Sequence, residues 1–279
     1  MLKHRTSLEF PADLWKQLSR KVPPRKRSNF IIEAIKDKLG KESIKVLIAC
    51  GGEGTRLRPL TLSTPKAMLP LGYRPMLEHI ILKLKEQGIY NFYLSIGYLG
   101  EQIIKYFNDG SNLGVKIDYI SEKTPLGTAG AVKNASMKLN STFIVIFGDV
   151  FFGKLDIKEL LQYHKDKRGL GTIVLKELSD TKRFGLVNLD EEGKIEDFIE
   201  KPRLSKPGWI NAGIYVLEPE IFNYIPSNKF YSLEKQVFPT LVDEGKLYGY
   251  KYYDYWIDIG VPEDYEKVVK DFLVEEKVK

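Results

Sequence analysis

The sequence predicts an α/β protein, with a mixed, mostly parallel sheet and helices on both faces, preceded by a small separate N-terminal module. Three observations predict it. From Ile44 onward, short apolar β-branched runs alternate with amphipathic segments, the pattern of a parallel sheet covered on both sides. The first run ends in a glycine-rich turn, Gly51-Gly52-Glu53-Gly54, where such sheets bind ligands. Residues 1–43 carry eleven Lys/Arg against five Asp/Glu, which leaves 32 of each sign in the rest, so the whole net charge of +6 lies in that segment. An asymmetry this complete marks a separate unit with an anionic partner.

Residues 3–10 alternate as a strand does, with Thr6, Leu8 and Phe10 on one face and Lys3, Arg5 and Ser7 on the other. Pro11 suits a helix start, and Asp13, Leu14, Trp15 and Leu18 continue a helical pattern to about Lys21, where Val22-Pro23-Pro24 breaks it. Ser28 reads as the N-cap of a second helix over 29–39, with Ile31, Ile32, Ile35 and Leu39 as its apolar stripe and Gly40 as its stop. A unit of about forty residues with one strand has too small a core and an unpaired edge, so it requires a partner. Strand, helix, basic turn and helix together resemble the ribbon-helix-helix DNA-binding domains. That resemblance implies a homodimer in which Lys3, Arg5 and Ser7 face bases of duplex DNA while Arg25 and Arg27 hold phosphates. The alternative is a basic arm that only dimerises. The expected boundaries are 1–42 and 43–279.

In the larger module, the strand over 44–50 leads into the glycine turn, whose bare N–H groups can approach an anion. Arg56 and Lys66 add two cations nearby, which makes the turn a triphosphate cradle. It is neither a Walker loop, which needs Gly-Lys-Ser/Thr, nor a dinucleotide fingerprint, because Pro59, Pro65 and Pro70 keep residues 58–74 out of helix. A helix over 75–87 follows, with Met76, Leu77, Ile80, Ile81 and Leu84 at helical spacing and Gly88 closing it. Strands over 92–96, 115–120 and 143–147 and helices over 100–107 and 128–139 continue the alternation. Asp149 stands just past the strand 143–147, where a carboxylate points into the ligand crevice.

The string from Gly51 to Thr61, GGEGTRLRPLT, with Pro65-Lys66 beyond it, resembles the opening motif of the sugar-1-phosphate nucleotidyltransferases. The likeness runs from about Ser43 to about Lys270. It implies the Rossmann-like fold of that family, with Gly51, Gly52, Gly54 and Thr55 around the nucleotide and Arg56 and Lys66 on its β- and γ-phosphates. Gly148-Asp149 and Trp256-Ile257-Asp258-Ile259-Gly260 match the elements that imply Asp149 and Asp258 as Mg²⁺ ligands. Glu200-Lys201-Pro202 implies Lys201 on the phosphate of the sugar phosphate and Glu200 on sugar hydroxyls. Asn211-Ala212-Gly213 and Phe184-Gly185 imply a sugar pocket lined by Asn211, Gly213 and Gly185.

Pro125-Leu126-Gly127-Thr128-Ala129-Gly130 resembles the base-contacting element, which brings in Gly127. Five residues earlier, Glu122 stands where thymidylyl and uridylyl relatives are expected to carry glutamine and guanylyl relatives glutamate. Guanine presents two adjacent donors, which one carboxylate accepts, whereas a pyrimidine suits an amide. Together with Ser232-Leu233-Glu234-Lys235 and Asp258, these elements look most like the guanylyl members, so the resemblance implies transfer of a nucleotidyl group from an NTP, GTP first, to a sugar 1-phosphate, with mannose or heptose first. Glucose-1-phosphate thymidylyl- or uridylyltransferase is the alternative enzyme. A DNA-binding regulator that senses nucleotide-sugar is the alternative of another class. Little chain follows the closing helix, so the β-helix domain of some relatives is not expected.

The single cysteine, Cys50, excludes an internal disulfide framework. No long uncharged apolar run suggests a leader or a membrane span, so a soluble, cytoplasmic protein is expected.

Overall fold

The computed structural model describes residues 7–38, 44–122 and 124–278. The chain divides into two compact units, Met1–Ser43 and Ile44–Lys279.

The first unit holds α1 (Ala12–Lys21), a 3₁₀ turn (Pro24–Lys26) and α2 (Arg27–Lys38). The second helix starts earlier than its apolar spacing suggested. Pro24 opens a turn that runs straight into Arg27, so Ser28 lies inside the first helical turn and is not its N-cap. Arg27 turns inward. Its Nε donates to the Val22 carbonyl at 3.1 Å, and its guanidinium lies 5.1 Å from the centre of the Trp15 ring. This occupies a carbonyl just beyond the end of α1, a place where helices leave acceptors unpaired. Arg25, expected to act beside it, is exposed. Residues 7–10, Ser7 among them, form no strand in this single chain, and the rest of that expected strand, with Lys3 and Arg5, lies outside the described residues. Leu18 and Val22 are buried, while Leu14, Trp15, Phe30 and Ile32 are 44–52 % exposed. Arg27→Ala should lower the stability of this unit by about 1–2 kcal/mol through the lost hydrogen bond and cation–π contact. Faster amide exchange in α1, with exchange in the second unit unchanged, is the expected readout; unchanged exchange in α1 would leave Arg27 no structural role.

The second unit begins with β1 (Lys45–Ala49), a small hairpin of β2 (Pro70–Leu71) and β3 (Arg74–Pro75), α3 (Met76–Glu86), β4 (Asn91–Ile96), α4 (Gly100–Phe107) and β5 (Lys116–Ser121). It continues with α5 (Gly127–Asn134), β6 (Phe143–Phe147), β7 (Val150–Phe152), α6 (Ile157–Lys167), β8 (Gly171–Leu178) and β9 (Gly185–Leu189). Then come β10 (Ile195–Glu200), β11 (Gly208–Leu217), α7 (Phe238–Asp243), β12 (Leu247–Tyr252), β13 (Trp256–Asp258) and α8 (Pro262–Val278).

β6, β1, β4 and β5 lie side by side and all parallel. Neighbouring residues divide between two cores. Leu47 and Val145 face one cluster with Val132, Tyr215 and Phe238, while Ile48 and Ile146 face another with Leu77, Ile80 and Leu160. Alternation of side chains across a strand thus buries both faces, which is why these strands read as unbroken apolar runs. Beyond β6 the sheet turns antiparallel: β11 pairs with β6, β8 and β9, and β9 with β10, while β12 rejoins in parallel beside β8. The mixed, centrally parallel sheet agrees with the sequence reading. That reading left open which strands run antiparallel.

Two features build the site. β11 is irregular between Asn211 and Tyr215, and Gly213 there has φ +71°, a conformation that favours glycine. At that bulge β11 exchanges β9 for β6 as its neighbour. Separately, β7 and β13 pair antiparallel with Val150 opposite Asp258. Among the described residues no helix is long and apolar enough to cross a membrane.

Candidate active site

The β7–β13 ribbon joins two distant carboxylates. Asp149 immediately precedes β7, Asp258 ends β13, and the Ile259 N–H donates to the Asp149 carbonyl at 3.0 Å. Lys66 lies between them, its Nζ 2.5 Å from Asp149 Oδ2 and 3.6 Å from Asp258 Oδ1. Burial alone would lower the Lys66 pKa, but Asp149 and Asp258 outweigh it and hold the ammonium above its ordinary range. Burial first, and the Asp149 charge second, push the Asp258 carboxyl up to about 6. Asp258 Oδ1 is buried with no hydrogen-bond partner, an acceptor aimed at a cation. Two hard oxygen donors, with other positions left to water and phosphate, fit Mg²⁺. Among the described residues no cluster of three or more metal-ligating side chains exists, so a metal here relies on its other ligands as well.

Two pockets of about 330 Å³ each meet at Asp149, which lines both. The first contains Gly51, Gly52, Glu122 and Gly127. Gly51 stays bare for Glu122, since a Cβ there would lie 3.1 Å from Glu122 Oε1. The fully buried Ser95 donates its hydroxyl to Oε1 at 2.8 Å, and the Leu126 N–H donates to Oε2 at 3.2 Å, so the carboxylate is held at both oxygens. Each oxygen keeps lone-pair capacity for a ligand. Gly54 and Thr55 line neither pocket. Gly54, at φ +61°, starts a 3₁₀ turn over Thr55–Leu57 and accepts at its carbonyl from buried Thr61 at 2.8 Å, so it shapes the cradle from behind.

The second pocket contains Arg56, Gly185, Glu200, Lys201, Asn211 and Gly213 with Asp258. Arg56 reaches the Asp258 side of the site, for a Cβ on Gly260 would lie 3.2 Å from its Nη2. The Asn211 side chain braces the bulge by accepting from the Gly213 N–H at 3.0 Å, and donates to Tyr215 Oη at 2.9 Å. Lys201 follows β10 with φ +52°, strained for a lysine, and 60 % of its side chain is exposed at the pocket mouth. Burial, then the nearby Glu234 charge, raise the Glu200 pKa. Gly185 packs under Phe198, where a Cβ would lie 2.7 Å from the ring.

Sequence reasoning passed over several pocket residues. Glu234 is buried, and one of its oxygens accepts from both Thr128 and Ser232 at 2.6 Å, which ties α5 to the wall of the second pocket. Arg183 donates to Asp264 of α8 at 2.7 Å beside the second pocket. Trp256 Nε1 donates to the Ala212 carbonyl at 2.9 Å, which locks β13 to the bulge. Ser95 and Phe230 had no local signal, being one polar and one aromatic residue outside any motif. Trp256 and Glu234 did stand inside motif strings.

Comparison with known proteins matches this architecture. The family described as nucleotidyl transferase matches residues 45–275. Mannose-1-phosphate guanylyltransferase of Mycobacterium tuberculosis is 39 % identical over 238 residues, 84 % of this chain and 66 % of its own length. UTP–glucose-1-phosphate uridylyltransferase of Synechocystis is 34 % identical over 250 residues, 84 % of this chain and 64 % of its own. The chain thus spans slightly less than two thirds of either relative. The crystal structure of HddC from Yersinia pseudotuberculosis complexed with GMP-PN superposes with a TM-score of 0.71 at 34 % identity, covering 82 % of this chain and 99 % of that one. The chain is therefore a member of the nucleotidyl transferase family.

Proposed function

We propose that the chain transfers a guanylyl group from GTP to mannose 1-phosphate, forming GDP-mannose and releasing pyrophosphate. One observation carries this reading: a pocket with a glycine cradle and a pocket with Glu200 and Lys201 share Asp149 as a wall. Two ligands bound there meet beside the carboxylate pair. An oxygen of the sugar 1-phosphate bonds to the α-phosphorus, the bridge from the α- to the β-phosphate breaks, and its electrons leave on pyrophosphate. No general base is required, since a phosphate monoester with a second pKa of about 6 is already largely dianionic at neutral pH. Catalysis then rests on holding two anions together and on neutralising their charge. Lys201 holds the nucleophilic phosphate, and Arg56 and Lys66 neutralise the triphosphate. Bound by Asp149 and Asp258, Mg²⁺ would draw charge from the α-phosphate.

Glu122 supports guanine as the base, and the M. tuberculosis relative supports mannose. Pyrophosphate release across GTP, UTP, dTTP and ATP, each with mannose and glucose 1-phosphates, tests the assignment. GTP with mannose 1-phosphate should give the highest kcat/KM. A preference for UTP or dTTP with glucose 1-phosphate would replace it with the uridylyl or thymidylyl reading.

For the first unit we propose duplex-DNA binding as a homodimer, supported by the concentration of the entire net charge in residues 1–43. Its exposed apolar side chains support a partner copy. Affinity for duplex DNA should fall steeply between 50 and 200 mM salt, on the order of 10³-fold for six or more phosphate contacts. Absence of binding at low salt by folded, dimeric protein would leave dimerisation as the role of the unit.

A further inference from the structure

We propose that Phe230 is a substrate-contacting residue that covers the uncharged carbon face of a nucleotide-sugar where its nucleoside and sugar halves join. Phe230 is 69 % exposed, yet it lines both pockets. An aromatic this open is usually mobile or poorly placed, and here the backbone is pinned at the next residue. The Tyr231 N–H donates to the Leu126 carbonyl at 2.8 Å, and the Tyr231 carbonyl accepts from the Ala129 and Gly130 N–H groups at 3.0 and 3.3 Å. Close approach explains two glycines of α5. A Cβ on Gly127 would lie 2.6 Å from the Tyr231 carbonyl oxygen and 3.3 Å from Phe230 Cε2, and one on Gly130 would meet Leu126 Cβ at 2.6 Å and the Lys229 carbonyl oxygen at 3.1 Å. These glycines seat the segment that presents Phe230, in addition to leaving room for a nucleotide.

The chemistry of the walls then sorts the ligand. Asp149, Asp258, Lys66 and Arg56 gather the charged groups on one side of the junction. A phenyl ring can neither donate nor accept a conventional hydrogen bond, so it meets carbon: the C–H faces of the ribose or hexose ring. Only the nucleotide-sugar occupies both pockets at once. Phe230 should therefore matter more for that species than for either substrate alone.

The test uses full-length Phe230→Ala and Phe230→Tyr, with affinities for GDP-mannose and GTP measured by calorimetry alongside steady-state kinetics. We expect Phe230→Ala to weaken GDP-mannose about tenfold, as loss of an aromatic anchor does. GTP should weaken less, the thermal midpoint should hold, and Phe230→Tyr should keep wild-type affinity. A GDP-mannose affinity unchanged within twofold in Phe230→Ala overturns the inference, as does an equal loss for GTP alone. The inference rests on the proposed reaction for the identity of its probe, and the two fail on different readouts. The preferred substrates of the wild type test the reaction; the ratio of variant to wild type, on whichever nucleotide-sugar the wild type binds, tests Phe230.

Discussion

Asp258→Asn and Asp149→Asn should each lower kcat by about 10³-fold or more, roughly 4 kcal/mol of transition-state stabilisation. Each removes one of two charged oxygen ligands at a site where the reacting phosphates carry most of the charge. Stability should not follow activity. Asp258 is buried beside Asp149, and those two causes raise its carboxyl pKa to about 6. A carboxyl with a folded pKa above its unfolded value opposes folding at neutral pH, where both states have lost the proton. The neutral asparagine removes that cost, so the thermal midpoint of Asp258→Asn should equal or exceed that of the wild type. Near-normal turnover at limiting Mg²⁺ would remove the substituted residue from the metal site. A large fall in the midpoint would instead make the residue structural.

Glu122→Gln should shift preference from GTP towards UTP and dTTP, with GTP losing about 1–3 kcal/mol in kcat/KM. The surroundings fix how the new amide sits. The Leu126 N–H can only donate, so the amide oxygen stays on that side, while the Ser95 hydroxyl can rotate to accept from the amide nitrogen. The variant then offers one acceptor and one donor where guanine brings two donors. A donor left facing a donor in a confined pocket is what makes such a site selective. Competition among equimolar NTPs is the measurement. Unchanged selectivity would move base recognition to another residue, with the transferase chemistry untouched.

Much of the scaffold was legible in the chain. Strands of the parallel core betray themselves because both faces are buried, which demands continuous apolar runs such as Val46-Leu47-Ile48 and Phe143–Phe147. The ends of those strands carry the motifs, so Gly51, Gly127 and Asp149 could be assigned to one crevice from spacing and resemblance. The antiparallel strands gave less, since partial exposure interrupts the runs of β9 and β10 and the pairing of β11 changes at a bulge. Helix boundaries in the first unit shifted for a local reason, because a proline-initiated 3₁₀ turn can merge with the helix after it.

What only the tertiary structure decided is which groups touch. Lys66 meets Asp149 across 83 residues and Glu234 meets Thr128 across 106, and no periodicity in the chain encodes a contact at that distance. The register of β7 against β13 sets Asp258 beside Asp149 and joins two aspartates far apart in the chain into one site. The resemblance put Arg27 on a DNA phosphate, and the fold turns it onto Trp15 and the Val22 carbonyl. Residue type and spacing set the local conformation and the available chemistry. Long-range strand register and close approach at glycine set where that chemistry meets, because both depend on packing between segments that local sequence does not describe.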